Sequence, residues 1–389
     1  MKIAVVCDSF KGSLTSKDAC AAVKDGLLRC NKNFEVLSLP FADGGEGTSR
    51  CFYDILGGQL RKAAVHDPLL REITAEYTVL PDGTAVIDIA SASGLTLLKS
   101  SERDAVKVSS LGSGELICDA AEHGAKHIIL GLGGSATTDA GTGILYALGM
   151  RFFSEDGVEV LPDGQNMIRV KEIRRTENFE RFKDIKFTLA CDVTNPLCGE
   201  NGAAYVFSPQ KGASKNDVKL LDDGLRNIGE IFEKASGKKI INLPGAGAAG
   251  GIGGLSAFLN CELQSGFDVL ARAASLEDKI RRSDAVITGE GKTDRQTLFG
   301  KLPKRVSDIA EKFGVPCILL SGDVENDISA EKLGVCEIHK IKENGISLEH
   351  CMKNAALLLS ERAFAIGKDS KIINKQYSRK QEKMRENER

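Results

Sequence analysis

The sequence predicts a doubly wound parallel α/β sheet interrupted by a large inserted α/β domain. Three observations carry this reading. The chain opens strand–helix–strand, the same grammar returns after residue 284, and residues 41–283 between them have strand and helix patterning of their own.

Residues 3–7 are apolar and β-branched, as a buried strand requires, and residues 15–30 place Cys20, Val23, Leu27 and Cys30 at helical spacing. Residues 34–39 form a second strand, closed by Pro40. Later, 285–288 (AVIT) reads as a strand. Residues 303–313 read as a helix with Pro303 near its first turn and Gly314 just past its end, and 317–321 as another strand. A last strand is expected at 336–341 and a last helix at 347–364. The insertion is expected to hold strands at 74–79, 85–89, 127–130 and 187–190, with helices near 113–122, 142–148, 214–235 and 253–261. It is large enough to bury its own core. The outer pieces (1–40 and 284–367) then make one discontinuous flavodoxin-like domain, with 41–283 as the inserted domain and 368–389 as a polar, solvated tail.

In a sheet ordered 2-1-3-4-5, ligands bind where the carboxyl ends of the first and third strands diverge. The loop after the first strand carries Asp8, Ser9 and Lys11, and the loop after the third carries Glu290, Lys292 and Asp294. The insertion leaves from the carboxyl end of the second strand, which places the expected site between the two domains.

Composition narrows the class of function. Of 389 residues, 42% are hydrophobic and 27% charged, a globular balance without an apolar run long enough for a membrane span. The apolar run of the N-terminus is short and ends in Asp8, so it reads as a first strand rather than a secretory signal, and a cytoplasmic location is expected. A net charge of −2 and the absence of Trp give no electrostatic or stacking case for nucleic acid or an anionic membrane. Eleven cysteines without a C-x-x-C pair argue against a zinc ribbon or a disulfide framework. His123 and His127 have a zinc-like spacing, but Gly124 breaks the helix between them.

Glycine is the outlier at 41 residues, and it is clustered. The run 289–293 (GEGKT) imitates a P-loop, yet Val286 stands where that loop needs glycine. The run 244–251 (PGAGAAGG) contains G-x-G-x-x-G, which could serve a dinucleotide or merely turn the chain into a helix whose amides bind an anion. Residues 131–143 (GLGGSATTDAGTG) follow a strand with glycines and hydroxyls, a way of bringing bare amides to phosphate oxygens. Residues 43–48 (DGGEGT) form the fourth cluster. Each alone could be a tight turn; together, mixed with hydroxyls and carboxylates, they argue for a polyanionic ligand with a divalent cation. Asp192 sits at the carboxyl end of an apolar strand ahead of Thr194-Asn195-Pro196, and Lys211 in PQKGA is a second isolated cation.

These residues carry a resemblance to the type 1 glycerate kinase family, running from Met1 to about residue 367. Its segments are DSFKGSL (8–14), ADGGEGT (42–48), GSGELI (112–117), GGSATTDAGTG (133–143), ACDVTNPLCGENGA (190–203), PQKGA (209–213), PGAGAAGGIGG (244–254) and VITGEGKTDRQTLFGKLP (286–303). The chain departs from the family pattern at Cys7, where proline is usual, at Thr138 and Ala140, and at Lys292, where arginine is common. The resemblance implies transfer of the γ-phosphoryl group of ATP, with Mg²⁺, to D-glycerate, in a cleft between the domains. The expected product is 2-phosphoglycerate, with 3-phosphoglycerate as the alternative.

On that reading Lys11, with Lys292 or Lys301, neutralises phosphoryl oxygens or holds the substrate carboxylate. Asp192 and Asp294 are the expected catalytic carboxylates, and Asp43 and Asp294 the metal ligands. Gly133, Gly134, Ser135, Thr137, Gly245, Gly247, Gly250 and Lys292 are expected at the nucleotide, and Ser9, Asp43, Gly44 and Lys301 at the substrate. Two rivals stand beside it: a dinucleotide-dependent oxidoreductase using the 245–250 loop, and a two-lobed binder of a small ligand without chemistry. Oligomeric state is unreadable.

Overall fold

The computed structural model describes residues 1–387 apart from Asp43, Pro162 and Asn344, with side chains described as far as Arg379. The chain divides into two compact units, Met1–Asp43 with Leu270–Arg389, and Gly44–Val269.

The first unit is built on five parallel strands, β1 (Lys2–Cys7), β2 (Glu35–Pro40), β11 (Ala285–Thr293), β12 (Cys317–Val324) and β13 (Glu337–Lys340), in the order β13-β12-β11-β1-β2. This is the flavodoxin-like order that the alternation of elements predicts. Ile3 faces Ala285 on one side and Val36 on the other, and Ile3, Ala4, Val5 and Val6 are fully buried, as expected of a parallel strand covered on both faces. The helix Ser16–Cys30 starts at Thr15, whose hydroxyl accepts from the Asp18 amide. It packs on the helix Ala355–Asp369 so closely that a Cβ on Gly26 would lie 2.0 Å from the Ser360 carbonyl oxygen. Val23, Leu27, Leu359 and Ala363 fill the layer between these helices and the sheet. The helix Leu302–Lys312 has Pro303 in its first turn, and Gly314 takes a positive φ of 64° just beyond it.

Two features of this unit differ from expectation. β11 runs on to Thr293, so most of 289–294 is strand rather than loop, paired with β12 as far as Thr293↔Val324. Its glycines allow close approach: a Cβ on Gly289 would stand 2.4 Å from the Leu320 carbonyl. The polar segment after 367 continues as the helix Lys371–Asn387. Ile373 is fully buried and Tyr377 meets Phe34 edge-on at 5.9 Å, so its start joins the core rather than solvent.

The second unit holds a six-stranded sheet of β3 (Gln59–His66), β4 (Glu72–Val79), β5 (Ala85–Asp88), β6 (His127–Gly131), β9 (Lys186–Ala190) and β10 (Asn260–Gln264), with a separate hairpin of β7 (Met150–Phe153) and β8 (Glu172–Arg175). β3, β4 and β5 are antiparallel neighbours, whereas β5, β6, β9 and β10 run parallel. The sequence pattern misses β3 because it is a half-exposed edge with charged residues (QLRKAAVH). It misreads 253–261 as a helix. Gly253 and Gly254 yield only the 3₁₀ stretch Ile252–Ala257, after which β10 begins.

Candidate active site

In the first unit the carboxyl ends of β1 and β11–β13 surround a cavity of about 660 Å³. After β1 the chain makes a tight turn in which the Phe10 amide donates to the Leu14 carbonyl at 2.9 Å, with Gly12 at φ 76° and Lys11 exposed at the tip. Four lysines line the cavity: Lys11, Lys292, Lys301 and Lys342. Three are paired, Lys292 with Glu325 at 2.8 Å, Lys301 with Asp294 at 3.1 Å and Lys342 with Asp323 at 2.7 Å. Among the described residues Lys11 makes no ion pair. Ile341, Leu348 and Met352 supply an apolar wall.

The acids of this cavity differ by environment. Asp294 caps the short helix Arg295–Leu298, and its Oδ1 accepts from Gln296 N at 2.9 Å, Thr297 N at 3.3 Å and Lys301 Nζ at 3.1 Å. Partial burial works to raise its pKa, but the Lys301 ammonium and these amides overcome it and hold the carboxyl below the ordinary range. Glu290 is buried and accepts from the Thr297 hydroxyl at 2.7 Å; burial outweighs that bond and raises its pKa.

In the second unit the loops after the parallel strands meet at their carboxyl ends. Asp88 ends β5 and is buried, with Oδ2 accepting from Gly47 N and Oδ1 from Ser49 N, each at 2.9 Å. It thereby caps the helix Thr48–Leu56, whose own N-cap, Gly47, has no side chain to do so. Burial pushes Asp88 up to about 7. Loop 131–135 lies on loop 44–47: Gly133 N donates to the Gly44 carbonyl at 3.1 Å, and a Cβ on Gly133 would stand 2.4 Å from Gly45 Cα. Lys211 is buried, with Nζ donating to Ser135 Oγ at 2.9 Å and the Thr137 carbonyl at 2.6 Å. Burial brings its pKa down to about 7, against the opposing pull of Asp139. Asp139 is itself buried and accepts from Ser110 N and Oγ at 2.8 and 2.7 Å.

The structure therefore brings Lys11, Ser9, Lys292, Asp294 and Lys301 to one cavity of the first unit. In the second unit it gathers the four segments that begin at Gly44, Gly133, Cys191 and Gly245: Leu132 N donates to the Ala190 carbonyl at 3.1 Å and Gly247 N to the Asn195 carbonyl at 3.0 Å. Asp43 lies outside the described residues. Asp192 follows β9 as expected, but it is exposed, and 194–196 run irregularly rather than as a turn. The expected phosphate cradle is altered, because the Gly133 and Gly247 amides are already bonded to carbonyls. Gly250 is glycine because a Cβ would lie 2.0 Å from the Thr137 carbonyl oxygen. Residues 241–247 are turns, so no strand leads into the G-x-G-x-x-G run and the dinucleotide reading loses its context. His127 is spent on Thr188 at 2.9 Å, and all eleven cysteines are free thiols.

Sequence reasoning passed over Asp88, and it noted Glu290 and Lys211 without assigning either a role. The rule that singled out Asp192, an acid ending an apolar strand, applies equally to Asp88 in AVID.

The profile of the Glycerate kinase family matches residues 3–371. The chain belongs to this family. It is 41% identical over 330 residues to the Glycerate 2-kinase of Escherichia coli, covering 84% of this chain and 87% of that one. It is 38% identical to the Glycerate kinase of Halalkalibacterium halodurans, over 93% of this chain and 96% of the relative. A crystal structure of a putative glycerate kinase 2 from Salmonella typhimurium LT2 superposes with a TM-score of 0.84 at 34% identity, covering 95% of this chain and 97% of that chain. The family implies ATP as phosphoryl donor. No helix among the described residues is long and apolar enough to cross a membrane.

Proposed function

We propose that the chain transfers the γ-phosphoryl group of ATP to D-glycerate, giving 2-phosphoglycerate. Family membership along nearly the whole chain carries this reading, and the lysine-lined cavity of the first unit supports it. Phosphoryl transfer asks mainly for positioning and for neutralisation of negative charge. Lys11, which makes no ion pair among the described residues, is assigned to the phosphoryl oxygens, with Lys301 and Lys292 beside it. The wall of Ile341, Leu348 and Met352 suits the base of the nucleotide. Phosphates are assigned to these lysines ahead of the glycine loops, since two of the expected loop amides are taken.

Among the described residues no group of three or more His, Cys, Asp or Glu side chains is placed to hold a metal. Mg²⁺ does not need one, because it keeps several waters and binds through phosphates and one or two carboxylates. Asp294 fits: its described hydrogen bonds all fall on Oδ1, which leaves Oδ2 for the ion, and Asp43 is the second assignment. When bound, the ion would supply charge neutralisation at the phosphate oxygens. Asp192 is assigned to orient the attacking hydroxyl, with Ser9, Gly44, Gly134, Ser135, Thr137, Gly245 and Gly250 as further ligand contacts. The eleven free thiols support a reducing, cytoplasmic setting.

The test is ADP release that depends on D-glycerate, followed by added enolase without a mutase. Phosphoenolpyruvate identifies the 2-phosphate. ADP release without it identifies the 3-phosphate, and no glycerate-dependent ADP release refutes the reading.

A further inference from the structure

The second unit contains another cavity, of about 640 Å³, whose lining includes Arg103, Lys107, Gln165, Gly212 and Asp217. Its acids are occupied. Glu102 is held by Arg71 at 3.0 Å, Asp104 by Lys107 at 3.3 Å, and Asp217 is tied to the Ser214 amide at 2.8 Å in a capping box at the start of the helix Lys215–Ser236. Arg103 is the exception. Its Nε is buried without a hydrogen-bond partner, and among the described residues no carboxylate pairs with its guanidinium. A permanently charged, half-buried group left without an acceptor is costly, and a guanidinium fork is shaped for a carboxylate or phosphate. The backbone beneath it is tight: a Cβ on Gly212 would stand 2.3 Å from the Arg103 carbonyl oxygen. The next residue back is Lys211, whose ammonium holds Ser135 and Thr137. The cavity and the hydroxyl-bearing loop thus share one stretch of chain.

We propose that this cavity is an anion-binding site in which Arg103 receives the phosphate or carboxylate group of a small metabolite. The assignment stands apart from the kinase reading, since it rests on the unsatisfied guanidinium and not on turnover. Isothermal titration calorimetry on the full chain, without nucleotide, tests it with three probes: inorganic phosphate, D-glycerate and 2-phosphoglycerate. At least one probe binds the wild type, and Arg103→Met, which keeps the aliphatic stem, weakens it about tenfold or more. If KM for glycerate rises in step, the anion is the reaction's own substrate or product. If glycerate kinetics stay unchanged while the effect of added phosphate disappears, the anion is a separate effector. Lys107→Glu reverses an exposed charge on the rim and should weaken the same probe about threefold. Absence of binding by all three probes, or equal binding by the wild type and Arg103→Met, overturns the proposal. Should Arg103→Met fail to fold, equal binding by Lys107→Glu and the wild type overturns it.

Discussion

Replacing Lys211 by Met tests whether a charge is carried inside the second unit. Lys211 is 3% exposed, and its pKa is brought from the ordinary 10.5 to about 7, chiefly by burial. At ~1.4 kcal/mol for each tenfold change in proton affinity, that gap is worth ~5 kcal/mol. Methionine removes the charge at similar length but leaves Ser135 Oγ and the Thr137 carbonyl without their donor, at ~1–3 kcal/mol apiece. The net effect at one pH is therefore small and uninformative, and the pH dependence is the diagnostic. Because the folded pKa lies below the unfolded one, the folded state holds fewer protons between about 7 and 10.5. Raising pH through that window stabilises the wild type, whereas below it both states are protonated and the full burial cost applies. Relative to Lys211→Met, the wild type should gain ~3 kcal/mol between pH 7 and 9.5. Urea titrations followed by circular dichroism, read on the transition that melts the second unit, give this difference directly. A stability gap that stays flat from pH 6.5 to 9.5 would show that Lys211 titrates as an ordinary solvated lysine and would refute the reasoning.

Lys11→Ala should lower kcat by about 10²–10³, as for one lost electrostatic donor, with circular dichroism unchanged. Asp192→Asn should lower kcat by about 10²–10⁴ with nucleotide affinity little altered; near-normal turnover would pass the role to Asp294 or Glu290. Asp294→Ala removes a helix cap and should cost ~1 kcal/mol in denaturant titrations while raising the Mg²⁺ concentration needed for half-maximal rate. Gly250→Ala forces a Cβ to within 2.0 Å of the Thr137 carbonyl at a φ of 75°, so the protein should melt lower by several degrees or fail to express solubly.

The first unit was legible because β1 and the first halves of β11 and β12 are continuous, buried apolar runs, and such runs admit few topologies. The edge strand β3 was not, since a half-exposed strand such as QLRKAAVH alternates too weakly to show a period. In the site, the lysines and acids of the loops after β1 and within β11 were readable from topology alone. The glycine clusters were recognised but partly misassigned. From sequence, a glycine that lets two backbones touch looks the same as one that bares an amide to a phosphate, and only the partner atom distinguishes them. Asp88 escaped, and Lys211 was noted without a role, for a related reason: their importance lies in which loop amides, hydroxyls and carbonyls they reach, and those lie 39 to 76 residues away.

The interrupted order of strands has a consequence for how the chain assembles. β1 needs β11 as a neighbour, nearly three hundred residues downstream, whereas Gly44–Val269 is one uninterrupted stretch. The two ends of that stretch lie together, since a Cβ on Gly44 would be 3.0 Å from Gly266 Cα. Once it has folded, it behaves as a clasp that shortens the loop between β2 and β11 from more than two hundred flexible residues to the stretches 41–43 and 270–284. By the logarithmic cost of loop closure, this spares the first sheet ~2 kcal/mol of chain entropy at the moment β11 seeks its place. The insertion should then fold first, and a lesion deep inside it should slow the pairing of β1 with β11 without touching either strand.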